Sequence, residues 1–378
     1  MGVFFIIGIV QAFFIEFILL NKKNKSLPDK ILATWMFFIG LHLFFYYLYY
    51  IGYHFQFPYI MGVSVPLPLI HGPFLLLYTV SLIQPEKKFS QFNYLHFIPF
   101  ISFLIALSPK FFISTEELLQ FLQEVEINTP FYIQFFAMLG NLSGFVYVPW
   151  CLIVLHRHQK CIRNNFSYME EINLIWLRNV ILGMAMIWVS ILVAGAIKLN
   201  WSQSDFDPST LIFIMVTVFI FIIGYYGSRQ GVIFTDNRNS QEKEVSDKKK
   251  YEKSSLKEEQ SEKYLNDLMI YMKDEMPYLE SKITLRDLAS TLGYSHNYLS
   301  QIINEKLNQN FYEFINQYRV EEFKKRVNED KFKKLTLLGH AYESGFSSKS
   351  AFNEVFKKIA GITPSQYYKE MTKAKEST

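Results

Sequence analysis

Ala289-Ser-Thr-Leu-Gly293-Tyr-Ser295-His-Asn-Tyr-Leu299-Ser-Gln-Ile302 sets a small residue, a glycine and two apolar anchors at fixed spacing. Ala289 is small enough for two helices to cross. Gly293, four residues on, permits the positive φ of a tight turn, and Leu299 and Ile302 anchor a second helix on the same core. That order is the spacing of a helix-turn-helix. Just upstream, Thr284-Leu-Arg-Asp287 is a capping box that opens a short helix from Leu285 to about Leu292. Gly293 ends that helix, and Ser295 stands where it can cap the next, His296 to Asn304.

The pattern returns 52 residues later. Ala289 maps to Ala341, Gly293 to Gly345, Tyr294 to Phe346, Ser295 to Ser347, Leu299 to Ala351 and Ile303 to Val355. A plain helical bundle does not place small, Gly, aromatic and Ser residues in register twice. Between the two copies runs an amphipathic stretch, Phe311 to Asn328, long enough for one stiff connecting helix. Two second helices held at fixed separation would meet successive major grooves of DNA, roughly 34 Å apart. Before the first copy, Leu265, Leu268, Met269 and Met272 mark one face of a helix that ends ahead of Pro277. After the second, Thr363-Pro364 with Gln366 reads as the capped start of a last helix. Phe346, Phe352, Phe356 and Ile362 are expected in the core.

These residues resemble the DNA-binding domain of the AraC/XylS transcription regulators. The resemblance rests on Ala341-Tyr-Glu-Ser-Gly-Phe346, Ser347-Ser-Lys-Ser-Ala-Phe352, Phe356-Lys-Lys358 and Gly361-Ile-Thr-Pro-Ser365. Upstream it is carried by Leu285-Arg-Asp-Leu-Ala289, Tyr298-Leu-Ser300 and Tyr318-Arg319. It covers about a third of the chain, and it implies a seven-helical domain in which each unit's second helix reads a major groove. Two positions depart from the pattern: Tyr368-Lys369 stands where an arginine is usual, and Phe323 where the connecting helix usually has alanine. By helix position, the side chains expected to reach DNA are His296, Asn297, Ser300, Gln301 and Asn304 from the first unit. From the second they are Ser347, Ser348, Lys349, Ser350, Asn353 and Lys357. Asn, Gln and Lys suit base edges, while Ser and Lys also suit phosphates. Residues 261–378 hold 18 basic and 16 acidic side chains, so affinity would depend on local placement of charge.

The rest of the chain is a different material. Residues 1–228 carry 12 Lys/Arg and 11 Asp/Glu, whereas the remaining 150 residues carry 26 and 23. With 50% hydrophobic residues overall, this division excludes a single soluble globule and a disordered chain. Cys151 and Cys161 are too few for a disulfide framework and match no common metal spacing. A spanning helix needs about 20 mostly apolar residues. Seven segments approach this: 3–20, 31–50, 65–83, 94–108, 131–155, 179–198 and 209–227. The fourth is the weakest because Pro99 interrupts it, so a six-helix reading stays open. Lysine and arginine favour cytoplasmic loops. One set of alternate loops carries ten: Lys22, Lys23, Lys25, Lys30, Lys87, Lys88, Arg157, Lys160, Arg163 and Arg178. The other set carries Lys110 and Lys198. The expected orientation is therefore N-terminus outside, seven crossings and a cytoplasmic C-terminus.

Polar groups inside a bilayer are costly and point to function or to hydrogen bonds between helices. Candidates for a signal pocket are His42, His71 and Asn141, with His71 in a segment broken by Pro66, Pro68 and Pro73. Residues 229–260 mix 8 basic and 7 acidic side chains with few apolar anchors, the composition of a tether.

The expected fold is thus all-α: a polytopic bundle of about seven transmembrane helices (1–228), a charged linker (229–260) and a seven-helix double helix-turn-helix domain (261–378). The pairing resembles bacterial one-component regulators of the cytoplasmic membrane. It implies promoter DNA and the bilayer as partners, with RNA polymerase, a second copy of the chain and an unidentified signal ligand as further candidates. No nucleophile motif, metal set or cofactor motif is present, so no enzyme or cofactor is expected. The alternative is a transporter or membrane enzyme with a DNA-binding reporter tail.

Overall fold

The computed structural model describes residues 2–84, 90–170, 172–200, 209–233, 258–329 and 335–376. Among these the chain is helical throughout, with no strand beyond one isolated bridge between Phe166 and Thr284. Lys87, Lys88 and most of the expected tether, 234–257, lie outside the described residues. Packing divides the chain into two units: Met1–His156 with Ile175–Glu242, and Arg157–Leu174 with Lys243–Thr378.

In the first unit, α1 is Gly2–Leu20, α2 Leu27–Tyr50, α3 Tyr59–Ser64, α4 Pro68–Ile83, α5 Ile98–Leu107, α6 Thr115–Ile127, α7 Phe131–Asn165, α8 Ile175–Asn200 and α9 Ser209–Ile233. Six helical stretches are long and apolar enough to cross a membrane: Gly2–Leu20, Leu27–Tyr50, Gly62–Ile83, Gln91–Phe111, Phe131–Asn165 and Ile175–Ile197. A seventh, Leu211–Gly227, is apolar but shorter. The outward faces are as apolar as the inward ones. Val3, Val10 and Phe17 of α1 are more than 60% exposed while Phe5, Ala12 and Leu19 are buried. A helix hydrophobic all round belongs in an apolar solvent. Between helices, close approach depends on small residues. A side chain added at Gly8 would lie 2.6 Å from Leu43 and Thr217, and one at Gly144 would lie 2.4 Å from the Trp188 ring.

Local chemistry sets the helix starts. Ser26 and Asp29 form a reciprocal capping box that opens α2 at Leu27, with Pro28 in its first turn. The expected interruption of the fourth segment falls at Pro99: the 3-10 turns Gln91–Phe97 give way there to α5, whose first turn holds the proline where a missing N–H costs nothing. One expectation about proline is corrected. Pro73 sits inside α4, which continues to Ile83; the break in this segment falls earlier, at 65–67, ahead of Pro68. The acidic loop after the fourth segment forms α6, opened by a Ser114–Glu117 capping box.

Besides the last turns of α7, the second unit holds seven α-helices among the described residues: α10 Glu258–Asp274, α11 Leu285–Leu292, α12 His296–Lys306, α13 Phe311–Asn328, α14 Leu337–Glu343, α15 Lys349–Ala360 and α16 Pro364–Glu376. α13 serves two cores. Its Phe311, Phe314 and Ile315 join Leu268, Met272, Leu285, Leu288, Ala289, Leu299 and Ile303. Its Val320, Phe323 and Val327 join Ala341, Phe346, Phe352, Val355 and Phe356. Phe323, unusual by the family pattern, is fully buried, with its ring 4.7 Å from that of Phe352 and 5.3 Å from that of Phe356. Met269, expected on the inner face of α10, is exposed, and Ile362 is only half-buried.

Candidate nucleic-acid interface

The two helix-turn-helix units share a threonine cap on the first helix and the hydrogen bonds of the turn. Thr284 caps α11, accepting from the Asp287 amide at 3.2 Å, and Thr336 caps α14, accepting from the Gly339 amide at 3.1 Å. At the turns Gly293 has φ +69° and Gly345 φ +91°. Past each glycine the aromatic amide reaches back to the small residue of the first helix: Tyr294 N–H to the Ala289 carbonyl at 2.9 Å, Phe346 N–H to the Ala341 carbonyl at 3.1 Å. This is the αL termination that satisfies the last carbonyls of a helix. The aromatic then seats the turn. Phe346 is buried in the second core. Tyr294 stacks on Tyr264, centroids 4.0 Å apart, and donates to Asp267. Burial and that carboxylate push its phenol up to about 12, so it remains a donor.

The second helices differ in their starts. Ser295 is at the N-cap of α12, but its side chain makes no capping bond, contrary to expectation. In the other unit the cap falls one residue later, on Ser348, which accepts from the Ala351 amide at 3.1 Å. The 52-residue register therefore holds through the turn, while the second helix starts one residue later in the second unit.

Each expected DNA contact lies on or just before these helices. Ser347, Lys349, Ser350, Asn353 and Lys357 are exposed, and Ser348 is half-buried. On α12, Asn304 is exposed, and His296, Asn297, Ser300 and Gln301 are half-buried. Several are engaged within the protein. Asn304 Nδ2 donates to the Ser300 carbonyl at 2.7 Å and Gln301 Nε2 to Glu305 at 2.9 Å, both at the surface, where water and ligand compete. His296 Nε2 lies 2.9 Å from Asn165 Oδ1, and Ser348 Oγ donates to Glu170.

Residues 288–370 match a family model described as a helix-turn-helix domain. The C-terminal unit contains an AraC-type helix-turn-helix domain. A protein of Staphylococcus aureus (strain COL), named as an uncharacterised helix-turn-helix-type transcriptional regulator, is 30% identical over 90 residues. The match covers 24% of this chain and 12% of that protein. No solved structure is significantly similar.

Sequence reading of this domain missed its most buried cation. Arg319 of α13 is 1% exposed, and its bonds go to neutral oxygens. It donates to the carbonyls of Tyr278 (2.8 Å), Glu280 (2.8 Å), Ser281 (3.3 Å) and Ser167 (3.0 Å), and to Ser167 Oγ (3.1 Å). Burial lowers its pKa to about 9, and it stays charged at neutral pH. Its partner Ser167 belongs to the segment 157–174, whose Ile162, Phe166, Tyr168 and Ile172 form a cluster of their own. Only the Tyr318-Arg319 motif hinted at this role, and nothing local marked Ser167.

In the first unit the three candidate pocket residues do not converge. His42 Nδ1 and His71 Nε2 are 3.1 Å apart, and Trp35 Nε1 donates to His71 Nδ1 at 3.3 Å. That donor fixes neutral His71 with its proton on Nε2, directed at His42. Asn141 is exposed on α7 and has no part in this chain of bonds.

Proposed function

We propose that the chain is a membrane-bound one-component transcription regulator that binds promoter DNA through α12 and α15 and responds to a signal received by its membrane unit. The observation that carries this reading is the duplication of the turn's hydrogen bonds, which sets two second helices with exposed or half-buried polar residues on either side of one stiff connecting helix. Six to seven apolar helices support insertion in the bacterial cytoplasmic membrane, and the excess of lysine and arginine in alternate loops supports a cytoplasmic DNA-binding unit. Trp35, His71 and His42 are the polar chain through which a ligand or proton would act; a polar chain set among apolar helices is costly unless used. RNA polymerase and a second copy of the chain are further partners in this reading.

The test is genome-wide occupancy of the intact protein beside a variant with Asn297, Gln301, Lys349 and Asn353 all changed to Ala. Discrete peaks that vanish in the variant are expected. Peaks unchanged in the variant, or none under any growth condition, would defeat the reading. On a recovered site, Lys357→Ala is expected to weaken binding uniformly across sequences and to reduce the salt slope of log K by about one, as for one phosphate contact. An unchanged slope would remove Lys357 from the interface.

A further inference from the structure

The segment Arg157–Leu174 packs with the helix-turn-helix domain, and it begins as the last turns of α7, whose earlier part has the length and composition of a membrane span. Three of its residues, spread over six positions, touch the domain at three places. Asn165 Oδ1 meets His296, the first residue of α12. Ser167, 1% exposed, donates to the Ile283 carbonyl at 2.7 Å and receives Arg319 and Asn316 on its own carbonyl at 3.0 and 3.2 Å. Glu170 lies across the start of α15, where it accepts from Ser348 Oγ and from the Ala351 amide at 2.8 Å.

The chemistry of the third contact is that of a phosphate site. A helix N-terminus offers unpaired N–H groups and a favourable field for an anion, and a serine hydroxyl beside it adds a donor. Lys282 lines the same open pocket with Ser347, Ser348 and Glu170. The start of a groove-reading helix is where a DNA phosphate would be held. Here the anion is a side chain of the protein.

We propose that segment 157–174 is a built-in competitor of DNA, with the Glu170 carboxylate occupying the position of a backbone phosphate at α15 and Asn165 engaging the first residue of α12. The inference rests on the DNA-binding reading of those two helices. Ser167 is the fixed point, since its bonds are buried and shared with Arg319. Glu170 is the removable part, since it is exposed and its partners are at the surface. A signal that shifts the end of α7 would move Glu170 relative to Ser348 without undocking Ser167. The membrane helix would then control access to DNA through one carboxylate.

The experiment uses the full chain in lipid nanodiscs and a mixed-sequence DNA duplex long enough for two successive major grooves, titrated over a range of salt. Glu170→Ala and Glu170→Gln are expected to tighten binding about tenfold, the factor by which a mostly closed form lowers apparent affinity. Glu370→Gln removes the same charge from the last helix and is expected to change affinity less than twofold. Equal affinity of wild type and both Glu170 variants would overturn the proposal while leaving DNA binding intact. Tightening by Glu370→Gln to the same extent would also overturn it, by showing a general charge effect. If neither wild type nor variants bind the duplex in a salt-dependent way, the DNA-binding reading falls, and the competitor with it.

Discussion

Replacing Arg319 with methionine is expected to destabilise the C-terminal unit by about 3–5 kcal/mol, enough to leave much of it unfolded if its stability is typical of a domain. A buried ion pair can often be exchanged for apolar residues without loss, because both partners go together. Here the partners cannot be exchanged. They are the backbone carbonyls of Tyr278, Glu280, Ser281 and Ser167, which stay in place when the guanidinium is gone. Each buried acceptor left without a donor costs about 1–3 kcal/mol, offset in part by no longer desolvating a charge. Arg319→Lys is expected to rescue only a fraction, since one ammonium cannot reach the several directions that a planar fork serves. Limited proteolysis of the full chain in detergent, with Glu321→Gln as an exposed neighbour for comparison, reads the effect. Resistance of Arg319→Met equal to wild type would mean that the arginine does not hold these loops.

What was legible in the sequence was what neighbouring residues decide together. The caps at Thr284 and Thr363, the glycine at each turn and the bounds of α11 and α13 follow from chemistry within a few positions. Apolar length likewise marked the helices that are long and apolar enough to cross a membrane. What was not legible depends on residues far apart in the chain. Ser167 meets Ile283 and Arg319 across more than a hundred positions, and Glu170 meets Ala351 across 181. No periodicity marks such pairs, so the segment 157–174 read only as a basic loop. The same limit explains the candidate pocket. Hydropathy flags His42, His71 and Asn141 equally, and only tertiary packing pairs the two histidines and turns Asn141 outward. Ser295 failed as a cap for a local reason: the N-cap position was foreseen, but its hydroxyl makes no bond there.

The two turn glycines, identical in the sequence pattern, are expected to respond unequally to the same change. Gly293→Ala should cost about 1 kcal/mol, the penalty for an L-residue in the left-handed region, because a Cβ there meets nothing within 4 Å. Gly345→Ala should cost about 3–5 kcal/mol. Its φ of +91° is further from the small left-handed basin open to other residues, so the backbone strain is larger. Its Cβ would also stand 2.2 Å from the Tyr278 carbonyl oxygen and 3.0 Å from Arg319 Nε. The first of these is backbone, so it cannot swing aside, and shifting it would break the bond that Arg319 makes there. Gly345 is therefore held by two separate requirements, a turn and a close approach, where Gly293 is held by one. Proteolysis midpoints in denaturant for the two single variants decide the matter: a loss at Gly345 no greater than at Gly293 would show that the second turn has room to relax and that its glycine answers only to backbone conformation.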